Sequence, residues 1–434
     1  MGLLDVAACR AQFPSLTQRV NGYPAAFFDG PGGTQVPQRV IDAVSGYLRR
    51  SNSNTHGLFK TSRETDETIA EARKAMADFM GCSADEVSFG ANMTTLNFAL
   101  SRAIARDLEP GDEIVITDLD HEANRDPWLA LEEKGVVVRS VAVKMPDCTL
   151  DHDDFARKVN EKTRVVALGY ASNAVGTIND VKWASELAHS VGALCVVDAV
   201  HSALHAAVDV GAVGCDFLLC SAYKFFGPHV GVMYGRRDAF QRLRTYKVKP
   251  QDPEPPFKIE TGTLNHEGIA GVTEAVNFIA DLGEAAASGG GSFPCDDRRS
   301  DDHRTDDRRS SDRRSRIVAG FEAIESHERP LFRELMDGLR SIHGVTIFGL
   351  PADARRTPTV SFRLEGKSPA QVAGYLGERG IFVWDGDFYA TTLVERLGLA
   401  DKGGLVRVGI APYNTMEEVG RLLDCLRELA SGGG

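Results

Sequence analysis

A lysine in an apolar setting is the most reactive candidate in this chain. Lys224 follows the apolar run Phe217-Leu218-Leu219 and stands in the turn Ser221-Ala222-Tyr223-Lys224, just before two phenylalanines and a Gly-Pro loop. Burial lowers the pKa of an amine, and a partly neutral amine is the nucleophile that forms a Schiff base with a carbonyl group. The alternative is a lysine whose stem covers the edge of the core while its ammonium group reaches water.

Two apolar strands upstream end in polar side chains. Residues 194–198 end in the carboxylate of Asp198, and residues 113–121 end in His121. Open α/β sheets bind ligands at the carboxyl ends of their strands. Asp198 could therefore pair with a protonated pyridine nitrogen, and His121 could stack on a planar ring or shuttle a proton. Asp198 could equally cap a helix, and His121 could be structural.

Together with these residues, four longer motifs resemble the class V aminotransferase superfamily, and within it most closely the cysteine desulfurases and selenocysteine lyases. The motifs are Thr117-Asp-Leu-Asp-His-Glu-Ala-Asn124 with Pro127-Trp128, Asn173-Ala-Val-Gly-Thr-Ile178, Gly262-Thr-Leu-Asn265 and Val406-Arg-Val-Gly-Ile-Ala-Pro-Tyr-Asn-Thr415. They run in family order from about residue 25 to 425, which is nearly the whole chain.

The resemblance implies an α/β fold, the pyridoxal-phosphate-dependent transferase fold type I. Its large domain has a mostly parallel, seven-stranded sheet, and a smaller α/β domain follows at the C-terminus. The alternation of helical and strand patterns favours the same mostly parallel sheet. We expect an N-terminal segment (1–24) packed on the small domain, a large cofactor-binding domain (25–287), a low-complexity disordered insertion (288–316) and the small domain (317–434).

The resemblance also implies pyridoxal 5'-phosphate as the cofactor. Lys224 would bind it covalently and exchange a proton with the substrate α-carbon, Asp198 would pair with the ring nitrogen, and His121 would stack on the ring. Asn173 would lie beside the phenolic oxygen, and His201, where desulfurases usually have glutamine, would donate to that oxygen. The phosphate contacts would come from Asn92, Met93, Thr94, Ser221, Tyr223 and, from a neighbouring subunit, Thr263. This cradle departs from the family pattern at residues 91–94 and at Tyr223, which replaces a histidine.

Arg407 would bind the substrate carboxylate through two parallel hydrogen bonds. The desulfurases resemble one another in a mobile loop whose cysteine takes the sulfur, and that loop precedes the arginine strand. Here the corresponding segment 380–390 contains no cysteine, and neither does any position from 296 to 424. The part from Trp384 to Tyr389 could be a packed strand-to-loop transition, or its aspartates could face a cationic or hydroxylated substrate.

Composition indicates an intracellular enzyme of two domains. The chain has 434 residues, 43% of them hydrophobic, and its net charge of −12 argues against nucleic acid or an acidic membrane as the main partner. Its eight cysteines show neither a Cys-x-x-Cys pair nor a metal-binding spacing. Without a signal peptide or an apolar run of membrane-spanning length, the cytoplasm is the expected location. Because Thr263 would reach a partner's phosphate, we expect a homodimer.

Periodicity predicts individual elements between these motifs. We expect helices at residues 65–80, 181–191 and 416–429 and strands at residues 136–143 and 164–170. Residues 288–316, rich in Asp, Arg and Ser, are expected to be solvated and disordered, with the helical pattern resuming at Ile317. Cys295, within this insertion, is a remote candidate for accepting sulfur.

The predicted function is that of a pyridoxal-phosphate enzyme acting on an amino acid. Lyase chemistry on a C–S or C–Se bond, by deprotonation at the α-carbon and β-elimination, is favoured. An aminotransferase or an amino-acid epimerase is the first alternative. The second is a non-catalytic binding protein of the same fold, although a scaffold has no need for Lys224, Asp198 and Arg407 together.

Overall fold

A computed structural model describes the backbone of residues 4–288 and 306–432, and the side chains of all of these except 306–311. Its helices are α1 (Val6–Arg10), α2 (Gln38–Arg50), α3 (Lys60–Met80), α4 (Met93–Ile104), α5 (Asp126–Leu129), α6 (His152–Lys158), α7 (Val181–Ser190), α8 (Val210–Val213), α9 (Arg237–Arg242), α10 (His266–Ala287), α11 (Asp306–Ser341), α12 (Pro369–Glu378), α13 (Thr391–Arg396) and α14 (Met416–Ala430).

The strands are β1 (Arg19–Val20), β2 (Tyr23–Pro24), β3 (Ala26–Phe27), β4 (Val87–Gly90), β5 (Glu113–Thr117), β6 (Val137–Val141), β7 (Val143–Lys144), β8 (Thr149–Leu150), β9 (Thr163–Gly169), β10 (Leu194–Asp198), β11 (Phe217–Ser221), β12 (Gly231–Gly235), β13 (Val345–Phe348), β14 (Thr359–Leu364), β15 (Ile381–Phe382), β16 (Trp384–Gly386) and β17 (Leu405–Gly409). The chain divides into two compact units. The first consists of Met1–Pro14, Val36–Asp107 and His205–His327, and the second of Ser15–Gln35, Leu108–Leu204 and Glu328–Gly434.

The first unit packs helices on three antiparallel strands. Strand β12 lies between β4 and β11 and pairs antiparallel with both, and α4 packs on all three. Helices α2 and α3 pack on α10. Ile69, Ala72, Met76 and Phe79 share one side of α3 and are buried. The helix ends at Gly81, whose φ of +74° lies in the left-handed region that glycine adopts without a steric penalty.

The second unit contains the parallel strands of the central sheet. Strands β10, β9, β5 and β6 lie side by side in that order, and each neighbouring pair is parallel. Strands β5, β9 and β10 are largely apolar and buried, as expected of strands covered on both faces, and α7 packs on β9 and β10. Strand β6, at the edge of the sheet, has exposed residues as well. The central sheet has seven strands in all, so the predicted α/β class with a mostly parallel sheet is confirmed.

A second sheet in this unit carries the arginine strand. It has the order β13-β14-β17-β16 and is antiparallel throughout. Its apolar side packs into one core with side chains of α11, α12 and α14, which includes Leu335, Phe362, Leu376, Val408 and Leu422, all fully buried. Each such side chain contributes about 1.5–3 kcal/mol on burial. This core holds β17, and Arg407 within it, in a fixed place.

Helix α11 begins earlier than the sequence predicted. The helical pattern was expected to resume at Ile317, whereas the helix already includes residues 306–316. Arg313 forms ion pairs with Glu71 and Asp78, at 2.7 and 2.6 Å. The prediction of a disordered segment is therefore wrong for 306–316, because the segment is helical and Arg313 and Arg316 pair with acidic side chains of the folded unit. The remainder of the predicted insertion, including Cys295, lies outside the described residues.

The N-terminal segment does not pack as one piece. Phe13 packs edge-on against Phe226 of the first unit, with ring centroids 5.6 Å apart. Farther along, Asn21 donates a hydrogen bond to the carbonyl of Glu378 in the second unit. The expected packing of the whole segment on the C-terminal elements is thus wrong for Phe13, whose ring joins an aromatic cluster instead. The domain bounds 25–287 and 317–434 stay a prediction.

The elements predicted from periodicity are confirmed. The three helices correspond to α3, α7 and α14, and the two strands to β6 and β9, with most ends within two residues of the predicted ones. In the described ranges, no helix is long and apolar enough to cross a membrane.

Candidate active site

The lysine turn lies at the end of a buried strand. All five residues of β11 are buried, and the chain then makes a single 3₁₀ turn from Ala222 to Lys224. Lys224 is half-buried, and its Nζ lies 5.0 Å from the centroid of the Tyr223 ring. The Tyr223 ring in turn stacks on His229, with centroids 4.9 Å apart and an interplanar angle of 22°. The lysine is therefore held beside aromatic rings.

The start of α4 and the end of β11 come together. Asn92 caps the helix, because its Oδ1 accepts a hydrogen bond of 2.9 Å from the Thr95 N–H. The Met93 N–H donates to Ser221 Oγ, also at 2.9 Å. Within the part of the chain that the structure describes, no side chain caps the N–H of Thr94. A helix N-terminus of this length attracts anions through its free N–H groups and its dipole, so Ser221 and this first turn form a possible phosphate site.

Thr263 lies in another part of the first unit. It is exposed and lines a cavity of about 1210 Å³. Lys224 and Ser221 are not among the described residues that line this cavity. The segment that carries Thr263 is anchored by a buried ion pair, in which the two terminal nitrogens of Arg73 donate to the two carboxylate oxygens of Glu260 at 2.7 Å each. This ion pair anchors the chain three residues before Thr263.

Two carboxylates meet at the strand ends of the second unit. Asp198 is 8% exposed and accepts a hydrogen bond of 2.8 Å from the Val200 N–H. Asp120 is buried and accepts hydrogen bonds from the Gly169 N–H and from Asn124 Nδ2, at 2.9 and 3.1 Å. Burial raises the pKa of Asp120 to about 7, and the charge of Asp198 adds to the rise while the hydrogen bonds oppose it. Asp120 was not among the residues predicted for the site, although its position directly before His121 was a signal for it.

The buried carboxyl of Asp120 predicts a pH-dependent stability. Because folding raises the pKa of this group, its neutral form is favoured in the folded state, and the stability it contributes is lost as the pH rises from about 4 to about 7. Asn cannot ionise, so Asp120→Asn removes this loss. Across that window, the free energy of unfolding of the variant should rise relative to that of the parent by about 1.4 kcal/mol per pH unit. Urea unfolding of both proteins at several pH values measures the difference. The exposed Asp401→Asn is the control, and parallel pH profiles for Asp120→Asn and the parent would refute the prediction.

His121 stacks on a tyrosine of the C-terminal part of the same unit. Its Nδ1 accepts a hydrogen bond of 2.9 Å from the Ala123 N–H, which places the ring proton of the neutral form on Nε2. The ring stacks on Tyr389, with centroids 5.5 Å apart and an interplanar angle of 20°. The Glu122 N–H donates to the Tyr389 carbonyl at 2.7 Å. The stacking predicted for His121, on the cofactor ring, stays a prediction; the structure shows its ring stacked on that of Tyr389.

Arg407 and Asn173 lie together. Nη1 of Arg407 donates to the Asn173 carbonyl at 3.0 Å, and the centroid of the Phe388 ring lies 4.3 Å from the guanidinium carbon. The Nε of Arg407 and the Oδ1 of Asn173 are both buried and have no hydrogen-bond partner among the described residues. Burial lowers the pKa of the Arg407 guanidinium to about 9, although the negative charge of Asp29 opposes this shift. A buried cation with an open donor is costly unless a ligand pairs with it, and a carboxylate suits this geometry.

His201 is engaged within its own unit. Its Nε2 lies 3.0 Å from Thr357 Oγ1 and 3.1 Å from Thr359 Oγ1, and the residue is 5% exposed. These threonines were not identified from the sequence, because they lie more than 150 positions away. Because Nε2 already contacts these threonines, a hydrogen bond between His201 and a ligand would have to use Nδ1.

A model of the family described as class-V aminotransferase matches residues 26–289 and 317–422. The chain belongs to the class-V aminotransferase family. Members of this family use pyridoxal 5'-phosphate, and this class-V chain is accordingly a pyridoxal-phosphate-dependent enzyme, as predicted.

Individual relatives agree with this assignment. A probable cysteine desulfurase of Mycolicibacterium paratuberculosis is 31% identical over 99% of this chain and 59% of its own length. An aminotransferase-like protein FGM3 of Gibberella zeae is 32% identical over 96% of both chains. An apo structure of cysteine desulfurase from Thermococcus onnurineus NA1 superposes with a TM-score of 0.83 at 26% identity, covering 99% of this chain and 98% of the other. The chain spans less than two thirds of the length of the Mycolicibacterium paratuberculosis relative. The superposition on the Thermococcus onnurineus structure shows that its fold is type I of the pyridoxal-phosphate enzymes.

The residues present fit the cofactor. The first unit supplies a half-buried amine at the end of a strand and a helix start suited to a phosphate. The second unit supplies the carboxylate of Asp198 at a strand end and the imidazole of His121, which stacks on another ring. It also supplies the Oδ1 of Asn173, which has no hydrogen-bond partner among the described residues. An amine, a carboxylate and an anion site are the groups that a pyridine aldehyde phosphate requires.

Proposed function

We propose that this chain is a pyridoxal-phosphate-dependent lyase that cleaves the C–S or C–Se bond of a cysteine-like amino acid. The observation that carries the proposal is the buried Arg407 beside Asn173, whose Nε has no partner in the part of the chain that the structure describes, an arrangement suited to an α-carboxylate. Relatives named cysteine desulfurase support a substrate that carries sulfur.

The proposed cofactor contacts follow the predicted ones. When bound, pyridoxal 5'-phosphate supplies a sink for the electron pair left at the substrate α-carbon. Asp198 would hold the ring nitrogen, His121 would stack on the ring, and Asn173 and His201 would lie beside the phenolic oxygen. The phosphate would be held by Asn92, Met93, Thr94, Ser221, Tyr223 and, from a second subunit, Thr263.

The protein's own groups would carry the reaction in three steps. Arg407 binds the carboxylate and fixes the orientation of the α-carbon. Nζ of Lys224 then takes the α-proton as general base. The bond between Cβ and sulfur breaks, and its electron pair leaves with the sulfur as hydrosulfide. With hydrolysis, cysteine and water give pyruvate, ammonia and hydrogen sulfide, a balance that needs no oxidant and no sulfur acceptor.

Elimination is favoured over sulfur transfer by the segment that precedes the arginine strand. No cysteine occurs between residues 296 and 424, so this segment has no thiol to take sulfur. Asp387 is occupied within its own loop, since its Oδ1 accepts from the Tyr389 N–H at 3.0 Å and its Oδ2 from Thr391 Oγ1 at 2.9 Å. This supports a structural role for that aspartate rather than contact with a cationic substrate.

Product analysis tests the proposed reaction. Cofactor-loaded protein given L-cysteine should release sulfide and pyruvate in equal amounts. Alanine in place of pyruvate would show desulfuration without a loop cysteine and would refute elimination. A changed visible spectrum without any of these products would refute lyase chemistry in favour of an aminotransferase or epimerase, the alternative that the name of the Gibberella zeae relative supports.

We further infer that the enzyme is a homodimer. The cavity that Thr263 lines also has two large exposed hydrophobic side chains in its lining, Val248 and Phe257. An exposed apolar surface of this kind favours burial against another protein. A second copy of the chain is the proposed occupant, and it would bring Thr263 to the partner's phosphate.

Complementation tests the shared site. Lys224→Ala and Thr263→Asp should each inactivate a homodimer, because one removes the amine and the other places a negative charge against a phosphate. If Thr263 acts across the interface, co-expression should restore about one quarter of the parent activity, since half of the random dimers are mixed and each has one intact site. Thr263→Ser is the matched control and should stay active. Mixed dimers without activity would show that Thr263 does not act in the partner's site.

A further inference from the structure

Two neighbouring aromatic residues are held in an unfavourable backbone conformation. Phe388 and Tyr389 have φ values of +58° and +57°, in the left-handed region that bulky residues rarely adopt. Each such residue costs about 1–3 kcal/mol and persists only where the surroundings enforce it. Residues under this kind of strain concentrate at ligand sites, so the pair requires a structural cause and suggests a function.

The cause is a set of hydrogen bonds within the second unit. Asn173 Nδ2 donates to the Phe388 carbonyl at 2.8 Å, and the Glu122 N–H donates to the Tyr389 carbonyl at 2.7 Å. The Glu122 carboxylate also accepts from both the N–H and the hydroxyl of Thr392, at 2.9 Å each. The pair is thereby fixed between the residue that follows His121 and the residue that binds Arg407.

Each aromatic ring of the pair covers one proposed site residue. The Phe388 ring lies over the guanidinium of Arg407, whose Nη1 is bound to Asn173, so the edge that carries Nε is the part left for a ligand. The Tyr389 ring stacks on His121 and is 71% exposed. Tyr389 directly follows Phe388, so its backbone lies near the residue that covers Arg407, while its ring lies against His121.

We propose that Phe388 and Tyr389 determine substrate specificity. Phe388 positions Arg407 with its Nε edge toward the carboxylate, and Tyr389 limits the side chain of the bound amino acid to roughly the size of cysteine's. The proposal rests on the function proposed above only in taking Arg407 as the carboxylate ligand. It does not depend on which bond is broken afterwards.

Binding of two unreactive carboxylates tests the proposal. 3-(Methylthio)propionate and 3-(benzylthio)propionate carry the carboxylate and a small or a large thioether, without an amine or a free thiol. By calorimetric titration of cofactor-loaded protein, Phe388→Leu should weaken both probes about tenfold, because a cation–π contact of this kind is lost. Phe388→Tyr should retain binding. Tyr389→Ala should favour the larger probe over the smaller by about tenfold relative to the parent, whereas Tyr389→Phe should not.

A matched control removes a ring from another arginine. Tyr375 of α12 covers Arg379, the residue directly after that helix, with its ring centroid 3.6 Å from the guanidinium carbon. Tyr375→Leu should leave the binding of both probes unaffected. Unchanged binding by Phe388→Leu, or an equal effect of Tyr389→Ala on both probes, would overturn the proposal. If no sulfide is formed from cysteine while the probe preferences follow this pattern, the proposed reaction fails and the specificity assignment stands.

Discussion

Lys224→Ala should abolish sulfide release from L-cysteine while leaving the protein folded. The side chain is proposed both to hold the cofactor and to take the α-proton, and loss of a positioned general base alone lowers a rate by about 10²–10⁴-fold. Because the same amine is the covalent nucleophile, the combined loss should lie at or beyond the upper end of that range. The initial rate of sulfide formation, with cofactor in excess, measures the effect.

The control separates this role from that of a lysine that only covers the core. Lys182→Ala removes an exposed lysine of α7, with 68% of its side chain accessible, and should keep the parent rate. Circular dichroism would confirm that both variants keep the fold. A Lys224→Ala protein that still releases sulfide at more than about a tenth of the parent rate would contradict the assignment of this lysine as base.

Arg407→Ala should lower kcat/KM for L-cysteine by about 10²–10³-fold, since removing one member of a buried charge pair costs roughly 2–5 kcal/mol. Arg407 is 4% exposed and lies on an inner strand of the second sheet, so its guanidinium group is largely shielded from bulk solvent. Arg407→Lys should recover only part of the loss, because an ammonium group cannot make two parallel hydrogen bonds. Steady-state kinetics on the three proteins gives the comparison.

A neutral substrate shows whether the carboxylate is the partner of Arg407. L-Cysteine ethyl ester keeps the amine and the thiol but has no negative charge at the position that Arg407 would bind. The parent should therefore use the ester poorly, and Arg407→Ala should lower that remaining activity by no more than a few-fold. Equal losses for the acid and the ester would mean that the substitution acts on the fold of β17 instead of on the carboxylate.

The strand ends could be predicted from the sequence because they depend on local pattern. An apolar run that stops at Asp198, or at the turn of Lys224, is visible in a few consecutive residues, and the structure ends β10 and β11 there. Helix α3 was predictable for the same reason, since its apolar residues recur at helical spacing and a glycine follows.

Contacts between distant positions could not be predicted in this way. The early start of α11 depends on Arg313 meeting Asp78, 235 positions away, and a run of charges looks the same whether it pairs or faces water. The cover of Phe388 over Arg407 and the burial of Asp120 likewise follow from packing between elements. In both cases the residue types were visible, whereas the neighbours that give them a role were not.

Covalent trapping of the cofactor tests the central assignment most directly. Cofactor-loaded protein is treated with borohydride, digested, and its peptides are searched by mass spectrometry for a pyridoxyl group on lysine. The first unit also contains a buried lysine, Lys258, which is 7% exposed and donates to the Gln241 carbonyl at 2.9 Å. Burial lowers the pKa of the Lys258 amine, although the charge of Glu254 opposes this shift. Modification of Lys224 alone is the expected result. Modification of Lys258, or of no lysine, would contradict the assignment of Lys224 as the residue that holds the cofactor.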